Sequence, residues 1–88
     1  VATDPDPSRS ALVARTRQAL AQSQALRQLV ANAAEEVAWV EEEVARVHET
    51  IADQGGPLAE QARQHAKRAR EVAVREHGEA ERRRAGPG

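Results

Sequence analysis

The chain contains no cysteine, methionine, phenylalanine or tyrosine, and Trp39 is its sole aromatic residue. Without cysteine there is no disulfide, no thiol nucleophile and no sulfur-ligated metal, a composition compatible with a reducing cytoplasm. Without the larger aromatics, the apolar material is almost wholly Ala, Val, Leu and Ile, side chains of the size that fills helix–helix seams. No run approaches the roughly 18 apolar residues of a membrane span, and Val1 to Asp6 lack the basic and then apolar pattern of an export signal. A soluble cytoplasmic protein with no membrane contact is therefore expected. Glycine and proline are also missing from Ser8 to Gln54, so nothing in that stretch breaks a helix.

The stretch is filled by a heptad ladder. Leu12, Thr16, Ala19, Ser23, Leu26, Val30, Ala33, Val37, Val40, Val44, Val47 and Ile51 succeed one another at alternating steps of four and three, the spacing that keeps side chains on one face of a helix wound against a partner. Asp4-Pro5-Asp6-Pro7-Ser8 is a stiff leader in which either Asp6, with Pro7 at the first helical position, or Ser10 can cap the first helix. Gln54-Gly55-Gly56-Pro57 then supplies a left-handed helix end and a proline able to start the next helix. The expected organisation is a leader at 1–9, a long helix at 10–53, a turn at 54–57, a second helix at 58–84 and a tail at 85–88. The second helix carries an alanine row, Ala59, Ala62, Ala66, Ala69, Ala73 and Ala80, interrupted by Glu76 and Gly78.

A turn this short favours antiparallel neighbours. The sequence thus predicts an all-α, coiled-coil-like helical hairpin in which Val37, Val40, Val44 and Val47 pack on Ala62, Ala66, Ala69 and Ala73. Charge agrees with this arrangement: residues 1–31 carry a net +2, residues 32–54 a net −6 and residues 55–88 a net +3. Folding about the glycines sets Lys67 and Arg68 near Glu43, Arg70 near Glu41 or Glu42, and Arg75 near Glu36. Eighty-eight residues bury little surface on their own. The second helix is also too short to cover Ser10 to Leu26, which leaves Leu12, Val13, Leu20 and Leu26 as a candidate interaction face. A second copy is its simplest cover, completing a four-helix assembly.

The remaining candidates are few. Trp39 flanks the ladder, and either packs over the edge of the second helix with Arg75 on its ring or contacts another subunit or partner. His48 and His65 can meet across the hairpin, but they and His77 lack the spacing of a metal site, and no metal or cofactor is expected. There is no phosphate loop and no nucleophile elbow, so an enzyme is not expected. Arg68, Arg70, Arg75 and Arg82-Arg83-Arg84 form a basic patch, yet net charge is −1 and stacking aromatics are missing, which disfavours nucleic acid.

Nineteen alanines and twelve arginines against one lysine, with Val as residue 1, suggest a high-GC bacterial source and an alternative start codon. In outline the chain resembles the antiparallel hairpin regulators that sequester sigma factors in such bacteria, some of which bind cyclic di-GMP. The nucleotide-binding Glu, Ser, Arg, Gln and Asp series of those regulators is missing: Arg15, Gln18, Gln22 and Gln28 lack the acidic members. The outline alone establishes no family. The expected function is a non-enzymatic interaction or scaffold module acting through self-association. The alternative is a regulatory, anti-sigma-like protein binder using the overhanging first helix, and the third is a nucleic-acid accessory protein.

Overall fold

A computed structural model describes residues 6–86, and the leader residues 1–5 and the last two of the tail lie outside the described residues. The described chain is two helices, α1 (Pro7–Asp53) and α2 (Ala59–Ala85), in an elongated body of 86 × 18 × 13 Å. Of the two capping choices, Asp6 is the one used: the Ser8 N–H donates to its Oδ1 at 3.1 Å, with Pro7 in the first turn. Pro7 to Arg9 are therefore helical rather than part of the leader. At the other end Gly55 and Gly56 take φ of 74° and 89°, a left-handed backbone that only glycine adopts without steric cost. The Gly55 N–H donates to the Ala52 carbonyl at 3.0 Å and the Ala59 N–H to that of Gly56 at 3.2 Å. Pro57 and Leu58 complete the turn, so the second helix begins at Ala59, just after the proline.

α2 folds back along α1, and the contact between them is made of alanine. The buried residues are Ala31, Ala34, Ala38, Ala45 and Ala52 from α1, and Ala59, Ala62, Ala66, Ala69, Ala73 and Ala80 from α2. Among the described residues, no larger side chain is fully buried. Ala80 nests with Ala31 and Ala34, and the seven-residue repeat on both helices then brings Ala73 to Ala38, Ala66 to Ala45 and Ala59 to Ala52. Methyl groups let the two axes approach closely, but each contributes only about 0.8 kcal/mol of burial against roughly 1.5–3 kcal/mol for a Val or Leu.

The alanine seam corrects the expected packing. Val37, Val40, Val44 and Val47 do not cover α2; they are 44, 59, 37 and 53 % exposed. On a helix turning about 100° per residue, the ladder and the Ala31–Ala38–Ala45–Ala52 row lie on faces about a third of a turn apart. α1 therefore has two apolar faces, one of small residues and one of large ones. The small one takes α2.

The charges match across the hairpin through different partners from those expected. Arg70 Nε donates to Glu49 Oε1 at 2.6 Å, His77 Nε2 lies 2.7 Å from Glu42 Oε1, and Arg84 pairs with Glu35 while also donating to Asn32 Oδ1 at 3.1 Å. Both rows run in sevens: Glu35, Glu42, Glu49 on α1 and Arg70, His77, Arg84 on α2. The shift has a geometric cause. Side chains on a helix lean toward its N-terminus, so in an antiparallel pair each partner reaches back along its own chain. Ion pairs then join residues further from the two N-termini than backbone level alone suggests.

Two outcomes are expected. Ala66→Leu, which forces a large side chain into the close seam, lowers stability by about 1–3 kcal/mol in chemical denaturation followed by circular dichroism. Arg70→Glu combined with Arg84→Glu destabilises by no more than about 1 kcal/mol per exposed pair, and adding Glu49→Lys with Glu35→Lys recovers part of that loss. Recovery equal to zero in the fourfold variant would show that the rows do not interact.

Candidate interaction surface

Apart from Leu29, Leu58, Val74 and Trp39, which are exposed off the ladder, the large apolar side chains left uncovered by the hairpin form a stripe along α1. It runs through Leu12, Leu26, Val30, Val37, Val40, Val44 and Val47, of which Leu12, Leu26 and Val40 are about 60 % exposed. Every described residue from Asp6 to Leu26 is exposed, because α2 stops where Gly86 reaches Arg27. The uncovered part of α1 is about 20 residues, or about 30 Å at 1.5 Å per residue.

Within this overhang the stripe is wider. Val13 and Leu20, 45 and 60 % exposed, add a second apolar line beside Leu12, Thr16, Ala19, Ser23 and Leu26, on the side that α2 occupies further along the helix. All four interaction residues expected in the overhang, Leu12, Val13, Leu20 and Leu26, are thus exposed together on one side. The valines of the other half, which hydrophobicity alone places in the hairpin interior, belong to the same surface. The signal that separates them is the alanine row at 31, 38, 45 and 52, whose repeat matches that of α2 and stops where α2 stops.

On the side where α1 and α2 meet the stripe, two shallow grooves lie end to end. The first is lined by His48, Ile51, Leu58, Gln61, Ala62 and His65. The second is lined by Glu41, Val44, His48, His65, Arg68, Ala69 and Val72. The histidines meet between them, ring centroids 4.9 Å apart and nearly perpendicular. No group of three or more His, Cys, Asp or Glu among the described residues is arranged to hold a metal ion.

The opposite flank is polar. It carries the ion-pair row, and Trp39 sits beside that row, more than a quarter-turn from the stripe and 61 % exposed. The ring is not packed away under α2. Of the basic patch, Arg70 and Arg84 are engaged with α1 carboxylates, while Arg82 and Arg83 donate to Glu79 at 2.8 and 2.7 Å. The Arg82 hydrogen bond first, and that of Arg83 second, hold the Glu79 carboxyl below the usual carboxylate range. Arg68 lines the second groove; Arg75 lies exposed on α2. No helix among the described residues is long and apolar enough to cross a membrane.

Set against protein-family models, curated proteins and solved structures, the chain matches none of them. The surface itself is therefore what bears on function.

As the sole tryptophan, Trp39 reports directly on its flank. Acrylamide is expected to quench its emission efficiently, as for a solvated indole, and to the same degree in the wild type and in Leu20→Asp. Strong protection in the wild type that disappears in Leu20→Asp would place Trp39 inside the self-contact.

Proposed function

We propose that this chain is a non-enzymatic helical interaction module that acts by self-association, its hairpins completing a four-helix assembly through the exposed stripe of α1. The observation that carries the reading is the inversion of apolar size: alanine is buried, while Leu12, Leu20, Leu26, Val40 and Val47 are left more than half exposed. A stripe this long and this regular is what a coiled-coil seam presents before its partner is added. Burying one Val or Leu contributes about 1.5–3 kcal/mol, so covering the stripe gains more than the hairpin obtains from its methyl groups. The small seam sets the hairpin; the large one is reserved for association.

A second reading is supported by Trp39. An exposed tryptophan off the self-association stripe is the residue type most enriched in binding hot spots, and together with Leu12, Val13, Leu20 and Leu26 it suits a regulatory adaptor that holds a protein partner. The two readings separate by stoichiometry.

Leu20→Asp puts a charge in the middle of the overhang stripe. It is expected to lower the mass seen by light scattering from an oligomer to a single chain, while circular dichroism stays helical because the alanine seam lies elsewhere. A wild type that remains a single chain at high concentration would overturn self-association and leave the adaptor reading.

A further inference from the structure

The ladder has two unlike halves, and they are complementary to one another. Thr16, Ala19 and Ser23 make the N-terminal half small, and Val40, Val44 and Val47 make the C-terminal half large. Laid antiparallel on a second copy, with the twofold axis between Ala31 and Asn32, the twelve rungs close in pairs without remainder. Leu12 meets Ile51, Thr16 meets Val47, Ala19 meets Val44, Ser23 meets Val40, Leu26 meets Val37 and Val30 meets Ala33. Small side chains fall opposite large ones down the middle of each half, which is how interdigitated layers fill space. A parallel pairing sets Thr16, Ala19 and Ser23 against their own copies and leaves that half thin.

Charge selects the same direction. The N-terminal half is net positive through Arg9, Arg15, Arg17 and Arg27, and the other half carries Glu36, Glu41 and Glu43 beside Val37, Val40 and Val44, outside the row already paired with α2. Antiparallel pairing lays each positive half on a negative one; parallel pairing lays the glutamates on glutamates.

The second apolar line of the overhang then finds a place. Val13 and Leu20 are seven residues apart, the interval that also separates Leu58, His65 and Val72 along the α2 edge of the grooves. In the antiparallel register, Val13 of a second copy arrives at the level of His48 and Ile51, over the first groove. Leu20 arrives at the level of Val44, over the second. The overhang needs a stripe wide enough for two neighbours because it lies between α1 and α2 of the other chain.

We infer that the occupant of this surface is a second copy of the chain, docked so that each overhang lies in the other copy's hairpin groove. The assembly is an antiparallel dimer with a three-helix bundle at either end. This rests on the self-association reading and specifies its register and polarity.

The natural absence of cysteine makes the test direct. Ala19→Cys and Val44→Cys are prepared as separate proteins, checked for helicity, and oxidised alone and mixed at concentrations where the wild type is dimeric. The mixture is expected to give a covalent dimer on a non-reducing gel, and each variant alone is expected to give little, since equivalent positions lie tens of ångströms apart across an antiparallel pair. Leu20→Cys mixed with Val72→Cys is expected to cross-link likewise, reporting on the groove. Strong cross-linking of Ala19→Cys alone would establish a parallel pair and overturn the inference. No cross-link in either mixture, with light scattering still reporting dimers, would overturn it while leaving self-association standing; single chains throughout for the wild type would remove both.

Discussion

The close approach of two alanine faces is the constraint on which everything else in this molecule depends. Methyl groups set the distance between α1 and α2, and that short distance keeps the larger side chains of α1 from sharing the interface. Were the seam made of Val and Leu, the hairpin would bury its own apolar material and have little left to offer. Because it is made of alanine, α2 is held by a modest burial term, aided by ion pairs whose exposed geometry makes them worth little singly. The polar flank fixes orientation and register. The apolar flank is left open on the same body.

The separation of duties is written in two interleaved repeats of the same period. One series, Ala31, Ala38, Ala45 and Ala52, coincides in extent with α2 and gives way to Ser10, Arg17 and Gln24 at the matching positions of the overhang, where there is no α2 to receive it. The other, the ladder of Val and Leu, runs the length of α1 and ignores where α2 ends. The hairpin contact therefore does not account for this second repeat.

Much of the architecture is legible in the sequence. The uninterrupted stretch from Ser8 to Gln54, the two glycines before Pro57 and the alanine row of α2 suffice for two helices and a tight reversal, and the meeting of His48 with His65 comes from the fold-back alone. Periodicity counts are less able to say which apolar face α2 takes. Val37, Val40, Val44 and Val47 have the stronger hydrophobicity, and hydrophobicity favours them for the interior. Complementarity of size decides otherwise, since an alanine row packs best on another alanine row. The ion-pair partners are displaced for a different reason, the backward lean of helical side chains, which no one-dimensional alignment of charges carries. Trp39, expected at the flank of the ladder, lies more than a quarter-turn from it, and its freedom from α2 depends on which face α2 takes.

The same size argument bears on what the open face can accept. A surface made for arbitrary partners uses flexible, adaptable side chains, and this chain has no methionine and little variety beyond β-branched and leucine residues. Such side chains are stiff and hold a fixed shape. A fixed shape of alternating bulk suits one complementary surface, and the N-terminal half of α1 carries the small residues and the positive charge that the C-terminal half lacks. The two halves are therefore complementary to each other in both volume and sign. A foreign helix would have to reproduce both patterns over the full stripe, whereas a second copy supplies them by rotation. The flank bearing Trp39 stands outside the proposed pairing and keeps its indole exposed.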